Sequence, residues 1–134
     1  MKTILIADDE ESLRTLIETT LEAPELRLLH AADGDQAVAL ARHEHPDLIL
    51  LDWMMPGKTG IEVAEVLRSE AGTADIAILM LTAMDHEQDR KRGLALGIRA
   101  YLVKPFSPLQ LLECVQRVLA NQGRNLAHEP MQKG

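Results

Sequence analysis

The chain has 134 residues, of which 46% are hydrophobic and 26% are charged, and its formal net charge at pH 7 is −7. This length fits one domain of about 100–150 residues, and the acidic balance argues against direct binding to nucleic acid, which favours a basic face. The longest apolar runs have four to six residues, whereas a membrane helix needs about 20, and the start of the chain lacks the apolar region and cleavage site of a signal peptide.

Five short apolar segments alternate along the chain with five patterns of helical period. The predicted strands are Ile4–Ala7, Leu26–Ala31, Leu48–Leu51, Ile76–Leu81 and Tyr101–Val103. The predicted helices carry apolar stripes at Leu13–Leu21, Ala37–Ala41, Ile61–Leu67 and Leu111–Leu119, and the more polar segment His86–Leu96 is a fifth candidate. This alternation predicts an α/β fold, a three-layer α/β/α sandwich around a five-stranded parallel sheet. The third and fourth strands are almost entirely apolar, which indicates central strands covered on both faces.

Local signals at three positions predict helix ends. Thr59 and Ser107, the latter followed by Pro108, are typical N-caps, and Gly97 suits a C-terminal cap. Residues 121–134 are polar and without periodicity. We therefore expect a domain over residues 1–120 and a flexible tail, or the start of a linker, over 121–134.

Polar side chains follow four of the predicted strands. Asp8 and Asp9 follow the first strand and Asp52 the third, while Thr82-Ala83 and Lys104-Pro105 follow the fourth and fifth. The carboxyl ends of parallel strands share one edge, where α/β proteins bind ligands. Three carboxylates, a hydroxyl and an ammonium group are therefore predicted to converge there.

Three carboxylates at one place repel each other, and one lysine cannot neutralise them. Mg²⁺ is the natural addition, because it is a hard cation that binds carboxylates. A carboxylate also acts as a nucleophile towards phosphorus and then forms an aspartyl phosphate. In such a reaction Mg²⁺ and Lys104 would neutralise the phosphoryl oxygens, and the Thr82 hydroxyl would donate a hydrogen bond to one of them.

Four separated motifs carry a resemblance to a known family. They are Asp8-Asp9, the segment Leu50–Gly57, the segment Met80–Ala83 and the segment Tyr101–Phe106. Over about residues 2–120 the sequence resembles the receiver domain of two-component response regulators, a flavodoxin-like fold of the chemotaxis-regulator type. The resemblance implies the strand order 2-1-3-4-5.

The resemblance also assigns roles at the predicted edge. Asp52 would be the phosphoacceptor. Asp9, Asp52 and the backbone carbonyl of Met54 would bind Mg²⁺ (or Mn²⁺), and Asp8 would act mainly through a metal-bound water. Lys104 would pair with the phosphoryl group.

Further roles concern the switch that the family uses. Thr82 and Tyr101 would be the switch pair, Thr82 moving towards the phosphoryl group while the aromatic ring swings inward behind it. The small Ala83 would leave the phosphoryl pocket open, and the peptide bond Lys104–Pro105 would be cis. The side chains of Met54 and Met84 are expected to border the phosphoryl group and to limit attack by water.

The resemblance implies a signalling module rather than an enzyme. Its phosphoryl donor would be a sensor histidine kinase or a phosphotransfer protein, with small acyl phosphates as substitutes. Its output would be a partner protein or a further domain, reached through the surface of the fourth helix, fifth strand and fifth helix.

Some members of the family form a dimer through charged pairs on this surface. The acidic residues that are typical before the switch aromatic are replaced here by Arg99 and Ala100, so we expect at most a weak homodimer. A single cysteine suits the cytoplasm.

Two other functions are compatible with this fold class. A haloacid-dehalogenase-like phosphatase also uses an aspartate after a strand, but it needs a second aspartate two positions on, where this chain has Met54. A flavin mononucleotide carrier needs a hydroxyl- and glycine-rich phosphate loop after the first strand. The acidic segment Asp8–Glu11 would repel a phosphate there.

Overall fold

The computed structural model describes residues 1–83 and 87–120 of the chain. The expected tail, residues 121–134, lies outside the described residues, so the division of the chain at residue 120 stays a prediction. Within the described part, no helix is long and apolar enough to cross a membrane.

Strands and helices alternate strictly, as predicted. The strands are β1 (Lys2–Ala7), β2 (Leu26–Ala31), β3 (Leu48–Asp52), β4 (Ala77–Thr82) and β5 (Ala100–Val103). The helices are α1 (Glu11–Leu21), α2 (Gly34–Glu44), α3 (Gly60–Ser69), α4 (Glu87–Ala95) and α5 (Pro108–Ala120). All neighbouring strands pair in parallel in the order β2-β1-β3-β4-β5, which confirms the flavodoxin-like topology.

The sheet has a separate hydrophobic cluster on each face, because successive side chains of a strand point to opposite sides. One cluster joins side chains such as Leu5 and Ile49 to α2 and α3, and the other joins Ile4 and Leu48 to α1 and α5. Every residue of β3 and β4 is buried, whereas β2 is mostly half-buried or exposed. The prediction of central strands from uninterrupted apolar runs is therefore confirmed.

The predicted helix ends are also present. Thr59 and Glu62 form a reciprocal capping box at the start of α3. Ser107 accepts a hydrogen bond from the Gln110 backbone at the start of α5. Gly97 has a φ of +69°, a conformation that glycine adopts at the end of a helix without steric cost.

The two strand boundaries nearest the predicted site differ from the sequence prediction by one residue. Asp52 and Thr82 are the last residues of β3 and β4 rather than the first residues after them. The reason is that their backbones still pair with the neighbouring strand, Asp52 with Leu81 and Thr82 with Val103. Both side chains are therefore held by the rigid sheet rather than by a loop.

Candidate functional site

An ion-paired cluster occupies the carboxyl edge of the sheet, where the sequence predicted it. The Lys104 ammonium, which follows β5, donates hydrogen bonds of 3.0 Å to both Asp8 Oδ2 and Asp52 Oδ1. Asp8 is completely buried and Asp52 is only 6% exposed. Residues at the ends of three strands thus bring two buried carboxylates and the Lys104 ammonium into direct contact.

Asp9 completes an acidic group that is open to solvent on one side. Asp8, Asp9 and Asp52 each offer a carboxylate oxygen, and the three oxygens lie within 4.8 Å of one another. Asp9 is exposed, whereas the other two are buried. Carboxylate oxygens at this spacing are the donor set that hard divalent cations prefer, so the residues present fit such a cation.

The electrostatics of the cluster act most strongly on Asp52. Burial raises its pKa to about 6, and the neighbouring Asp8 charge acts in the same direction. Hydrogen bonds from Lys104 and from the Met54 backbone oppose this shift without cancelling it. Burial by itself would lower the pKa of Lys104, but its hydrogen bonds to Asp8 and Asp52 outweigh burial and raise that pKa. Lys104 therefore stays charged, while the pKa of Asp52 is about 6.

This shift predicts a pH-dependent stability of the metal-free protein. The pKa of Asp52 rises from 3.8 to about 6 on folding, so the folded state binds the proton more tightly than the unfolded state. The resulting stabilisation is complete below pH 3.8 and is lost as pH rises through 6. We expect the free energy of unfolding in EDTA to fall by about 2–3 kcal/mol across this window relative to Asp52→Asn, as measured by urea denaturation. Parallel pH profiles of the two proteins would contradict this prediction, and saturating Mg²⁺ should flatten the wild-type slope.

Two contacts that the sequence pattern did not predict hold the loop after β1. Asp8 Oδ1 accepts a hydrogen bond of 2.9 Å from the Glu10 amide, and the Asp8 carbonyl accepts one of 2.5 Å from Arg14 Nη1. Arg14 lies on α1 and is half-buried. The N-terminus of α1, at Glu10, has no side-chain cap hydrogen bond. A cation one turn into a helix that follows two aspartates is the signal that would have identified Arg14.

Gly60 was a second missed contributor to the site. Its amide donates a 2.8 Å hydrogen bond to the Trp53 carbonyl, and the Trp53 amide donates one of 2.8 Å to the Leu81 carbonyl. A Cβ at position 60 would lie 2.6 Å from the backbone oxygen of Asp52. The absence of a side chain at Gly60 therefore lets α3 begin directly against the end of β3.

The other predicted site residues that the structure describes lie at or next to the same edge. Thr82 is buried at the end of β4, its carbonyl accepts a 2.7 Å hydrogen bond from the Lys104 amide, and Ala83 beyond it is exposed. Tyr101 is half-buried on β5, and the Lys104–Pro105 peptide bond is cis. The Met54 side chain is 66% exposed, and Met84 lies outside the described residues.

The structure is therefore a doubly wound α/β domain with an acid–lysine cluster at the carboxyl edge of its sheet. The sequence profile described as "Response regulator receiver domain" matches residues 4–116. The chain therefore belongs to the response regulator receiver domain family. Receiver domains are signalling modules of two-component systems rather than classical enzymes.

Similar full-length proteins support this assignment. The phosphate regulon transcriptional regulatory protein PhoB of Pseudomonas aeruginosa is 43% identical over 133 residues, which are 99% of this chain and 58% of that protein. The probable transcriptional regulator ycf27 of Porphyridium aerugineum is 44% identical over 116 residues, 87% of this chain and 47% of that protein. The chain thus spans about half the length of the curated relatives it matches.

Solved structures match most of this chain and nearly all of their own. Chemotaxis protein CheY4 of Vibrio cholerae is 36% identical with a TM-score of 0.82, covering 88% of this chain and 98% of that chain. The Mn²⁺-bound form of response regulator Rcp1 is 26% identical with a TM-score of 0.75, covering 90% and 94%.

Proposed function

We propose that this chain accepts a phosphoryl group on Asp52 in a Mg²⁺-dependent reaction and transmits the modification to a partner. The observation that carries the proposal is the contact of Lys104 with both Asp8 and Asp52 at 3.0 Å, beside a third carboxylate within 4.8 Å. A purely structural ion pair would not require the exposed Asp9 in the same group.

Asp52 supplies the nucleophile. With a pKa of about 6, its carboxylate is ionised at pH 7–8 in most molecules even before a cation binds. A carboxylate oxygen forms a bond to phosphorus while the bond from phosphorus to the donor nitrogen or oxygen breaks, which gives an aspartyl phosphate and a free donor. Because the side chain ends a fully buried strand, it is held in position before the donor arrives.

Asp9, Asp52 and the Met54 carbonyl would hold the divalent cation, with Asp8 as an outer partner. When bound, the cation offsets negative charge on the carboxylates and on the phosphoryl oxygens. The Mn²⁺-bound structure of the related Rcp1 supports a cation in this family. The carboxylate donor set would accept Mn²⁺ as well as Mg²⁺.

Lys104, Thr82 and Ala83 would bind the phosphoryl group. Lys104 would move from its carboxylate partners towards the phosphoryl oxygens, since a dianion attracts it more strongly than a single carboxylate does. The Thr82 hydroxyl would donate a hydrogen bond, and the exposed Ala83 would leave access to the acceptor.

Phosphorylation would then change the surface formed by α4, β5 and α5. It adds almost two negative charges beside Thr82, which biases any element that has two packing arrangements. Thr82 and Tyr101 would form this two-state element, since both side chains lie on the same face of the sheet as Met80.

The output would be a partner protein or a further domain, and the donor would be a histidine kinase or phosphotransfer protein. The curated relatives, which are about twice as long, support an attached output domain.

The two alternative functions are less compatible with the site. The phosphatase alternative needs an acid two residues after Asp52, and the residue there is Met54, which is largely exposed. The flavin alternative needs a phosphate-accepting loop after β1, whereas Asp8 and Asp9 occupy it. Neither arrangement favours turnover of a phosphoester or binding of a flavin phosphate.

Trp53 allows a direct test of cation and phosphoryl binding. It is the only tryptophan of the chain, it is half-buried, and it adjoins Asp52. We expect its fluorescence to change on addition of Mg²⁺ and again on addition of beryllofluoride, a stable analogue of an acyl phosphate group, with both changes reversed by EDTA. Beryllofluoride binding that is equally tight in EDTA would refute the role of the cation.

A further inference from the structure

We propose that Gly93 is a positioning residue for Tyr101: the missing side chain at position 93 admits the tyrosine ring beneath α4. This inference rests on the proposed function, because it assigns a structural determinant to the proposed switch. The residue at position 93 would thereby determine which side-chain conformations Tyr101 can adopt within the α4–β5–α5 surface.

Gly93 is an unusual residue at this place. It lies inside α4 and is buried, although glycine is the poorest helix former after proline. Its φ is not positive, in contrast to the φ of +69° at Gly97 a few residues later. Backbone freedom therefore explains Gly97 but not Gly93, which needs a packing reason.

The packing reason is the ring of Tyr101. A Cβ at position 93 would lie 1.5 Å from the Tyr101 hydroxyl oxygen and 2.8 Å from its Cζ. The Ile98 side chain, at 3.1 Å, closes the same space from another side. No ordinary van der Waals contact is that short, so even a methyl group at position 93 excludes the present position of the ring.

In this position the Tyr101 ring also lies on the same side of the sheet as Thr82, its proposed switch partner. Tyr101 pairs with Met80 on β4 and packs against the hydrophobic cluster to which Met80 belongs. Thr82 lies two residues after Met80 and therefore points to the same face of the sheet. The ring thus occupies the layer between β4 and α4, on the side of the sheet where Thr82 would move.

An alanine at position 93 should change the state of the switch rather than unfold the protein. The clashing atoms are the end of a side chain that rotates about χ1, and alanine favours the helix. The ring would leave the space under α4 for a more exposed position. We expect the phosphorylated state to depend on the ring in this layer more than the unphosphorylated state does, so excluding the ring penalises the phosphorylated state more.

The test uses the full chain with 3-fluorotyrosine at its only tyrosine. In Gly93→Ala, the ¹⁹F resonance should shift and become more accessible to a soluble paramagnetic agent, and the Kd for beryllofluoride with Mg²⁺ should rise by about tenfold. In a Tyr101→Leu background, the same substitution should change that Kd by less than about twofold. The matched control is Gly72→Ala, where the nearest atom to a new Cβ is 3.7 Å away, and it should change neither measurement.

Equal effects of Gly93→Ala with and without the tyrosine, or an unchanged ¹⁹F resonance, would overturn the inference. If Gly93→Ala failed to fold but its combination with Tyr101→Leu folded, the contact would be established as the cause. Failure of both to fold would overturn it. A wild-type protein that binds no beryllofluoride would instead reject the proposed function, and the ¹⁹F comparison would still decide the role of Gly93.

Discussion

Asp52→Asn is expected to abolish phosphoryl uptake from acetyl phosphate in Mg²⁺, measured as a gain of one phosphoryl group in the intact mass. Asparagine keeps the shape of the side chain and its place at the end of β3, but its amide is not a nucleophile towards phosphorus at neutral pH. The substitution also removes a buried charge from beside Asp8. We therefore expect the variant to be folded and, at pH 8 in EDTA, more stable than the wild type.

Two comparison variants give this prediction its specificity. Asp35→Asn removes a carboxylate that is 73% exposed in the structure, and it should leave phosphorylation unchanged. Asp9→Asn should retain the acceptor but need more Mg²⁺, since Asp9 contributes one of the three converging oxygens. Undiminished mass gain in Asp52→Asn would mean that the acceptor is another group, and the proposed function would have to be revised.

Lys104→Met should cause the largest loss of stability among the site variants. It leaves the Asp8 and Asp52 carboxylates, which are 0% and 6% exposed, without their shared cation. Breaking a buried ion pair by removing one partner costs about 3–5 kcal/mol, and we expect about 2–4 kcal/mol here at pH 8 in EDTA because Asp52 gains a proton more readily. Urea denaturation gives the value, and Mg²⁺ or a lower pH should restore part of it.

Two controls separate this effect from the simple loss of a lysine. Lys58→Met removes an exposed pair with Asp35 at 3.4 Å, which should cost at most about 0.5 kcal/mol. In an Asp52→Asn background, Lys104→Met should cost clearly less than in the wild type, because one of the two carboxylates is already gone. Equal costs in both backgrounds would mean that Lys104 does not interact energetically with Asp52.

The linear pattern of the sequence was sufficient to predict the architecture. The uninterrupted apolar runs of β3 and β4 can bury their side chains on both faces of a sheet only between two layers of helices. The alternation of strands and helices indicated that this sheet is parallel. Parallel strands place their carboxyl ends together, so Asp8, Asp52 and Lys104 were predicted to meet although they are far apart in sequence. These conclusions depend only on hydrophobic periodicity and on the direction of the strands, and both can be read from the order of residues.

Only the tertiary structure decided the close contacts between successive elements of the chain. Arg14 supports the Asp8 carbonyl, Gly60 admits the end of β3, and Gly93 makes room for Tyr101. The raised pKa of Asp52 likewise depends on burial and on the position of Asp8. The physical reason is the same in each case: a close approach or a desolvated charge is set by how neighbouring elements pack, and the hydrophobic periodicity that predicts the elements does not give the distances between them.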